Sequence, residues 1–137
     1  MKEQSLIIIK PGFIKDEKGI VDMLTKNAGV KIIQRAKMRL TKDILYKHYE
    51  EHIGKSFFDE LVKYMGSDDV IVMVAEGPEG SIKRIREVCG ATKNPAEGTI
   101  RAKFGIGEIT RNVIHSSDSV ESGKREISNF KGLLKKV

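Results

Sequence analysis

His115 is the side chain in this sequence best placed to form and break a covalent bond. It stands just before Ser116-Ser117-Asp118 and a helical stretch that carries Glu126. A carboxylate folding back from that helix onto one ring nitrogen would fix the tautomer and leave the other nitrogen its lone pair. An imidazole oriented in this way is an activated nucleophile. Ser117 could bond Glu126 too, or a phosphate on the histidine. Upstream, the irregular Gly/Thr-rich segment 90–114 holds Thr92, Asn94, Thr99, Arg101, Arg111 and Asn112. Lys83, Arg84 and Arg86 precede it. Long irregular segments in compact domains are often functional. Arginine forks and threonine hydroxyls are the donors that phosphate oxygens accept from. Taken singly, each of these residues has an ordinary explanation as a solvated basic loop or a structural histidine. No Gly-x-x-x-x-Gly-Lys-Ser/Thr phosphate loop occurs. Gly105-x-Gly107 lacks both a third glycine and a strand-to-helix context, so a dinucleotide site is disfavoured.

The elements that must position these residues are legible from periodicity. Leu6–Ile9 is an apolar run ending in Lys10-Pro11-Gly12 and predicts a buried strand and a turn. Ile20, Met23, Leu24 and Ala28 share a helical face, with Gly29 at the C-cap position. Residues 32–40 alternate as a strand with one wet face. Two short helical patterns fill 42–65 and break near Gly54. Val70–Ala75 is a further buried strand. Ile82, Ile85 and Cys89 form the stripe of a helix stopped by Gly90. A short strand precedes His115, and the Asp118/Glu121 spacing predicts a capped helix running to about Phe130. The tail 131–137 is basic. The expectation is one domain, 1–137, of α+β class: a ferredoxin-like antiparallel sheet with helices on one face.

Bulk properties narrow the function less. The 137 residues are 39% hydrophobic and 32% charged, as in an ordinary soluble globule. The N-terminal apolar run is too short for a signal peptide, and no stretch reaches membrane-spanning length. Cys89 is the only cysteine, which excludes an intramolecular disulfide and agrees with a cytoplasmic location. The net charge of +6 fits either a lysine-rich surface or an anionic partner.

The stretch Asn112-Val113-Ile114-His115-Ser116-Ser117-Asp118-Ser119-Val120-Glu121-Ser122 resembles the active-site signature of nucleoside diphosphate kinases. Ile9-Lys10-Pro11, His48-Tyr49, Phe57-Phe58, Arg86, Gly90-Ala91-Thr92 and Gly98-Thr99-Ile100-Arg101 follow in the family's order. The resemblance implies that His115 carries a phosphoryl group between nucleotides, oriented by Glu126, with Ser117 beside it. It implies that Lys10 and Tyr49 reach the transferring phosphate, and that Arg86, Thr92 and Arg101 hold the phosphates. Asn112 would hold the sugar and phosphate side. Phe57 would stack on the base with Leu61 beside it, and Ile109 is the expected second contact to the base. Mg²⁺ would be held mainly by phosphates and water, with no dedicated protein ligands. Stacking tolerates any base, and ribo and deoxyribo substrates should both serve. The implied assembly is a homo-oligomer, a hexamer ahead of a tetramer.

The chain departs from the family pattern at Ser116, where Gly is usual, at Gly12 for Asp and at Lys103 for an acidic residue. Its Thr92–Arg101 segment is also shorter. If the backbone at 116 must be left-handed, Ser introduces strain. Two other functional classes fit the sequence less well. A nucleic-acid-binding module is disfavoured by the 6% aromatic content. A catalytically silent nucleotide-binding subunit is disfavoured because every expected catalytic side chain is present.

Overall fold

In the computed structural model, residues 1–108 and 111–137 are described. β1 (Glu3–Ile9) is followed by α1 (Glu17–Asn27), β2 (Lys31–Met38), α2 (Lys42–His48), α3 (Phe58–Met65), β3 (Val70–Gly77), α4 (Ser81–Cys89), α5 (Ile100–Phe104), β4 (Ile114–Ser116), α6 (Val120–Asn129) and β5 (Lys135–Lys136). The sheet order is β4-β1-β3-β2-β5, and each neighbouring pair is antiparallel. β1-α1-β2-β3-α4-β4 is the ferredoxin-like unit expected from the sequence.

β1 and β3 lie in the middle of the sheet, and both their faces are covered. This explains why they read as continuous apolar runs. Ile7, Ile9, Ile71, Met73 and Ala75 pack with Ile20 and Leu24 of α1 and Ile85 and Cys89 of α4. Leu6, Ile8, Val70 and Val72 pack with Leu45 of α2, Phe58 and Met65 of α3, and Phe130. The expected helices-on-one-face arrangement therefore holds for the crossover helices α1 and α4, but not for the whole chain. The alternate positions of β1 and β3 are equally apolar, and α2, α3 and α6 cover them.

Three further differences have local causes. α6 is capped by Ser119, whose side chain accepts from Ser122 N, rather than by Asp118. The 90–114 segment contains α5, capped by Thr99 accepting from Ala102 N. The basic tail supplies β5, which pairs with Gln34 and Arg35 at the edge of β2. That covers a strand edge otherwise open to pairing. α6 approaches β1 closely because residue 123 is Gly: a Cβ there would collide with the Gln4 carbonyl oxygen.

The N-terminus of α4 is held from a distance. The Glu3 carboxylate accepts from Gly80 N at 2.9 Å and Ile82 N at 3.0 Å. These backbone donors hold its pKa below the ordinary value of 4.5. A depressed acid pKa stabilises the fold above the unfolded value and loses that contribution as pH falls through the folded one. Glu3→Gln should therefore lower the urea midpoint at neutral pH, and the two proteins should converge in acid. Parallel curves displaced equally at all pH values would refute the assignment.

Candidate active site

β4 is the edge strand beside β1, with Ile8 opposite His115. Consecutive strand residues face opposite sides. Ile114 enters the α1/α4 core, while His115 faces α2 and α6. There its Nε2 lies 3.0 Å from Oε1 of Glu126. The same Oε1 accepts from Ser117 Oγ at 2.6 Å. Ser117 is itself fixed twice, since its Oγ accepts from Leu6 N at 2.9 Å and its N donates to Ser5 Oγ at 3.0 Å. An anionic carboxylate can only accept, so Nε2 carries the proton and the lone pair belongs to Nδ1. Burial pushes the Glu126 carboxyl up. The hydrogen bonds from His115 and Ser117, together with the charge of His115, outweigh this and leave it below its ordinary value.

A row of rings leads away from the histidine. His48 meets His115 edge-on at 4.7 Å and Tyr49 at 4.6 Å; Tyr49 lies 6.1 Å from His52, and His52 lies 5.4 Å from Phe57. His48 is buried, and desolvation lowers its pKa to about 3, so it is a neutral ring. Burial and then Glu126 raise the Tyr49 phenol, leaving it a protonated donor. Phe57, at the start of α3, is 45% exposed at the outer end of the row. Leu61 packs against the second core.

Lys10 and Asn112 meet behind the histidine. Lys10 Nζ donates to Asn112 Oδ1 at 2.6 Å, and Lys10 N donates to Val113 O at 2.8 Å. Both side chains are buried. Desolvation, then Arg101, lowers the Lys10 amine to about 7. Ile114 N donates to Asn112 O at 2.9 Å around Val113, which has φ +78. A β-branched residue rarely adopts this tight three-residue turn. It immediately precedes the strand that carries His115. The left-handed strain considered at Ser116 falls at Val113 instead: Ser116 is a strand residue without positive φ.

The expected phosphate-binding residues line a cleft of about 900 Å³ on the α4 side, whose walls include Arg86, Thr92, Arg101, Ser116 and Asp118. Among the described residues, His115 is not part of this lining. Ser116 lines the cleft, whereas His115, its neighbour along β4, faces the other side of the sheet. Arg86 Nη1 reaches Asp118 O at 3.4 Å. Arg101 does more than the sequence suggested. Its guanidinium donates to three backbone carbonyls: Asn112 at 3.1 Å, Ile114 at 2.6 Å, and Gly90. It thereby ties α5 to the end of α4 and to the turn before His115. Ile109, the expected base contact, lies outside the described residues.

Sequence reasoning missed two positioning residues. Tyr64 Oη donates to Pro11 O at 2.5 Å and fixes the turn after Lys10. Ser5 receives the Ser117 amide. Both contacts span long sequence separations, and no spacing rule points to either.

An edge-strand histidine held by a buried carboxylate, next to a basic cleft on a ferredoxin-like sheet, defines a phosphate-handling α+β domain. A family model described as nucleoside diphosphate kinase matches residues 3–132. The chain is 41% identical over 134 residues to a nucleoside diphosphate kinase of Chloroflexus aggregans, covering 93% of this chain and 86% of that one. It is 41% identical over 133 residues to that of Pyrococcus furiosus, covering 93% and 82%. The fold matches the Aquifex aeolicus nucleoside diphosphate kinase with TM-score 0.88 and 36% identity, covering 97% and 98% of the chains. It matches the Halobacterium salinarum enzyme solved in complex with CDP with TM-score 0.86 and 31% identity, covering 96% and 89%. The chain belongs to the nucleoside diphosphate kinase family, whose members are phosphotransferases. Among the described residues, no helix is long and apolar enough to cross a membrane.

Proposed function

We propose that this chain transfers the γ-phosphate of a nucleoside triphosphate, typically ATP, to a nucleoside or deoxynucleoside diphosphate by a ping-pong route through His115, so maintaining triphosphate pools. The observation that carries the reading is the 3.0 Å contact from Nε2 to Glu126, which assigns the lone pair to Nδ1. In the first half-reaction Nδ1 attacks the γ-phosphorus, the bond to the bridging oxygen breaks, and the diphosphate leaves. In the second, an acceptor β-phosphate oxygen attacks the phosphohistidine and the N–P bond breaks. Glu126 stabilises the imidazolium character that grows as N–P bonding develops. Lys10 and the Tyr49 phenol donate to the transferring group, and Arg86, Thr92, Arg101 and Asn112 hold the rest of the polyphosphate. Exposed Phe57 stacks on the base, with Leu61 beneath it, so base identity matters little.

Mg²⁺ fits this site as a nucleotide-borne ion. The cluster of potential ligands at the histidine is imidazole-rich and unsuited to it, while the carboxylates Glu87 and Asp118 line the cleft and can accept from its waters. Bound Mg²⁺ supplies neutralisation of phosphate charge. A cytoplasmic homo-oligomer, a hexamer ahead of a tetramer, completes the proposal.

Incubation with Mg²⁺ and γ-labelled ATP, without acceptor, should label the protein with an acid-labile, alkali-stable phosphate that a GDP chase moves into GTP. Bound nucleotide without label would overturn the route. Glu126→Gln keeps an acceptor oxygen but loses the charge and should slow exchange by about 10²- to 10⁴-fold; an unchanged rate would remove the orienting role. Lys10 gives a pH signature. A phosphate placed beside a lysine depressed to about 7 restores its proton, so diphosphate binding should take up a proton between about pH 7 and 10.5 and weaken as pH rises. Calorimetry in buffers of different ionisation enthalpy measures this uptake. Finding none in the wild type, or the same uptake in Lys10→Met, would count against it.

A further inference from the structure

The histidine pocket holds more ligating chemistry than phosphoryl transfer uses. One donor atom from each of His48, His115 and Glu126 lies within 4.8 Å of the other two. His48 is 4% exposed, and among the described residues its Nδ1 is buried without a hydrogen-bond partner. Buried polar atoms are nearly always satisfied, so this nitrogen is a polar atom in want of a partner, and in the tautomer protonated on Nε2 it is a free ligand. Glu126 is also buried, while the His115 side chain is 20% exposed and gives solvent access to the group.

We infer that His48, His115 and Glu126 form a binding site for a borderline-soft divalent cation of the zinc type, and that occupancy switches the enzyme off. Two imidazoles and one carboxylate are a zinc-type donor set, with a fourth position left for water. The same set disfavours Mg²⁺, which prefers oxygen ligands in octahedral geometry. Zinc bonds of about 2.0–2.1 Å place tetrahedral ligand atoms roughly 3.3 Å apart. His115 and Glu126 already stand 3.0 Å apart. The His48 ligand atom lies within 4.8 Å of both, and zinc binding would need the partly exposed His115 ring to turn toward it.

Inhibition follows from proton and electron bookkeeping on one ring. If the metal takes Nδ1 of His115, the lone pair that would attack phosphorus is occupied. If it takes Nε2, the ring proton moves to Nδ1, which again has no lone pair to offer. Glu126 is withdrawn from its orienting bond in both cases. The inhibitory consequence rests on His115 as phosphoryl carrier; the metal site does not.

The test separates the two. Nucleotide-free, chelator-treated enzyme is titrated with Zn²⁺ by equilibrium dialysis, and with Co²⁺ by visible spectroscopy. One ion per chain, with intense Co²⁺ d–d bands of tetrahedral type, is expected. Affinity should fall on the order of 100-fold in His48→Phe. Glu126→Gln is the second variant, read by the same two binding measurements should His48→Phe not fold. In the wild type, Zn²⁺ with excess Mg²⁺ should block labelling from γ-labelled ATP, and a zinc-selective chelator that leaves Mg²⁺ in place should restore it. His48→Phe should need correspondingly more Zn²⁺ relative to its own uninhibited rate. Absent Co²⁺ bands, or undiminished Zn²⁺ binding in the folded variants, would overturn the site. Site binding without any block of labelling would overturn the switch. Failure of labelling in zinc-free wild type supplied with Mg²⁺ counts against the phosphotransfer reading and leaves the binding result standing.

Discussion

Exchange of phosphate between ATP and GDP should fall on the order of 10⁴-fold or more in His115→Ala, because no neighbouring group can take over as nucleophile. The ring's row-mate His48 is buried and neutral, Tyr49 is held protonated, and the Ser117 hydroxyl is committed between Leu6 N and Glu126. The fold itself should survive, since His115 contributes little to either core. Its removal leaves the buried Glu126 carboxylate with Ser117 as its remaining side-chain donor, at a cost of about 1–3 kcal/mol. The expected pattern is therefore a folded, nucleotide-binding, unlabelled protein with a modestly lower urea midpoint. Full exchange by the variant would refute the histidine route.

The second large effect is expected at Arg101, on stability as much as on catalysis. Truncation removes three hydrogen bonds from a charged donor to the carbonyls of Gly90, Asn112 and Ile114. Bonds of this kind are individually worth about 1.5–3 kcal/mol but are not additive, so Arg101→Ala should lose about 2–4 kcal/mol. Arg101→Lys supplies charge without the planar fork and should recover less than half of that. Exchange should drop by about 10²- to 10³-fold in the Ala variant, as for loss of one preorganised donor. Urea unfolding measures the first effect. A midpoint equal to wild type would mean that the three carbonyl bonds carry no net stability.

Arg101 also marks where the sequence was informative and where it was not. Its type and place in a basic loop pointed to phosphate, but nothing in the spacing showed that residues 90, 112 and 114 would converge on one guanidinium. The sheet was legible because β1 and β3 are unbroken apolar runs, and the same runs, through Leu6, Ile8, Val70 and Val72, carry the signal that both faces are covered. The link between His115 and Glu126 was readable because both lie within one strand-helix unit. The Ser5–Ser117 bond and the Tyr64–Pro11 bond were not, because they join segments brought together only by the sheet. The strain at Val113 was invisible for another reason: β-branched residues ordinarily argue against positive φ.

The pairing of β1 with β4 also has a kinetic side. The strand of His115 meets residues 7–9, more than a hundred positions earlier, while the carboxylate on that histidine comes from α6 and its ring neighbour from α2. Contacts of such high sequence separation require loop closure before they return any stabilisation, so they form late. During synthesis β1 must wait, apolar on both faces and without its outer neighbour, until β4 at residues 114–116 has emerged. In refolding from urea, phosphorylation competence should accordingly return with the slowest conformational phase, after most helical signal is recovered. Phosphorylation of His115 would thus report that two segments about a hundred residues apart have found each other.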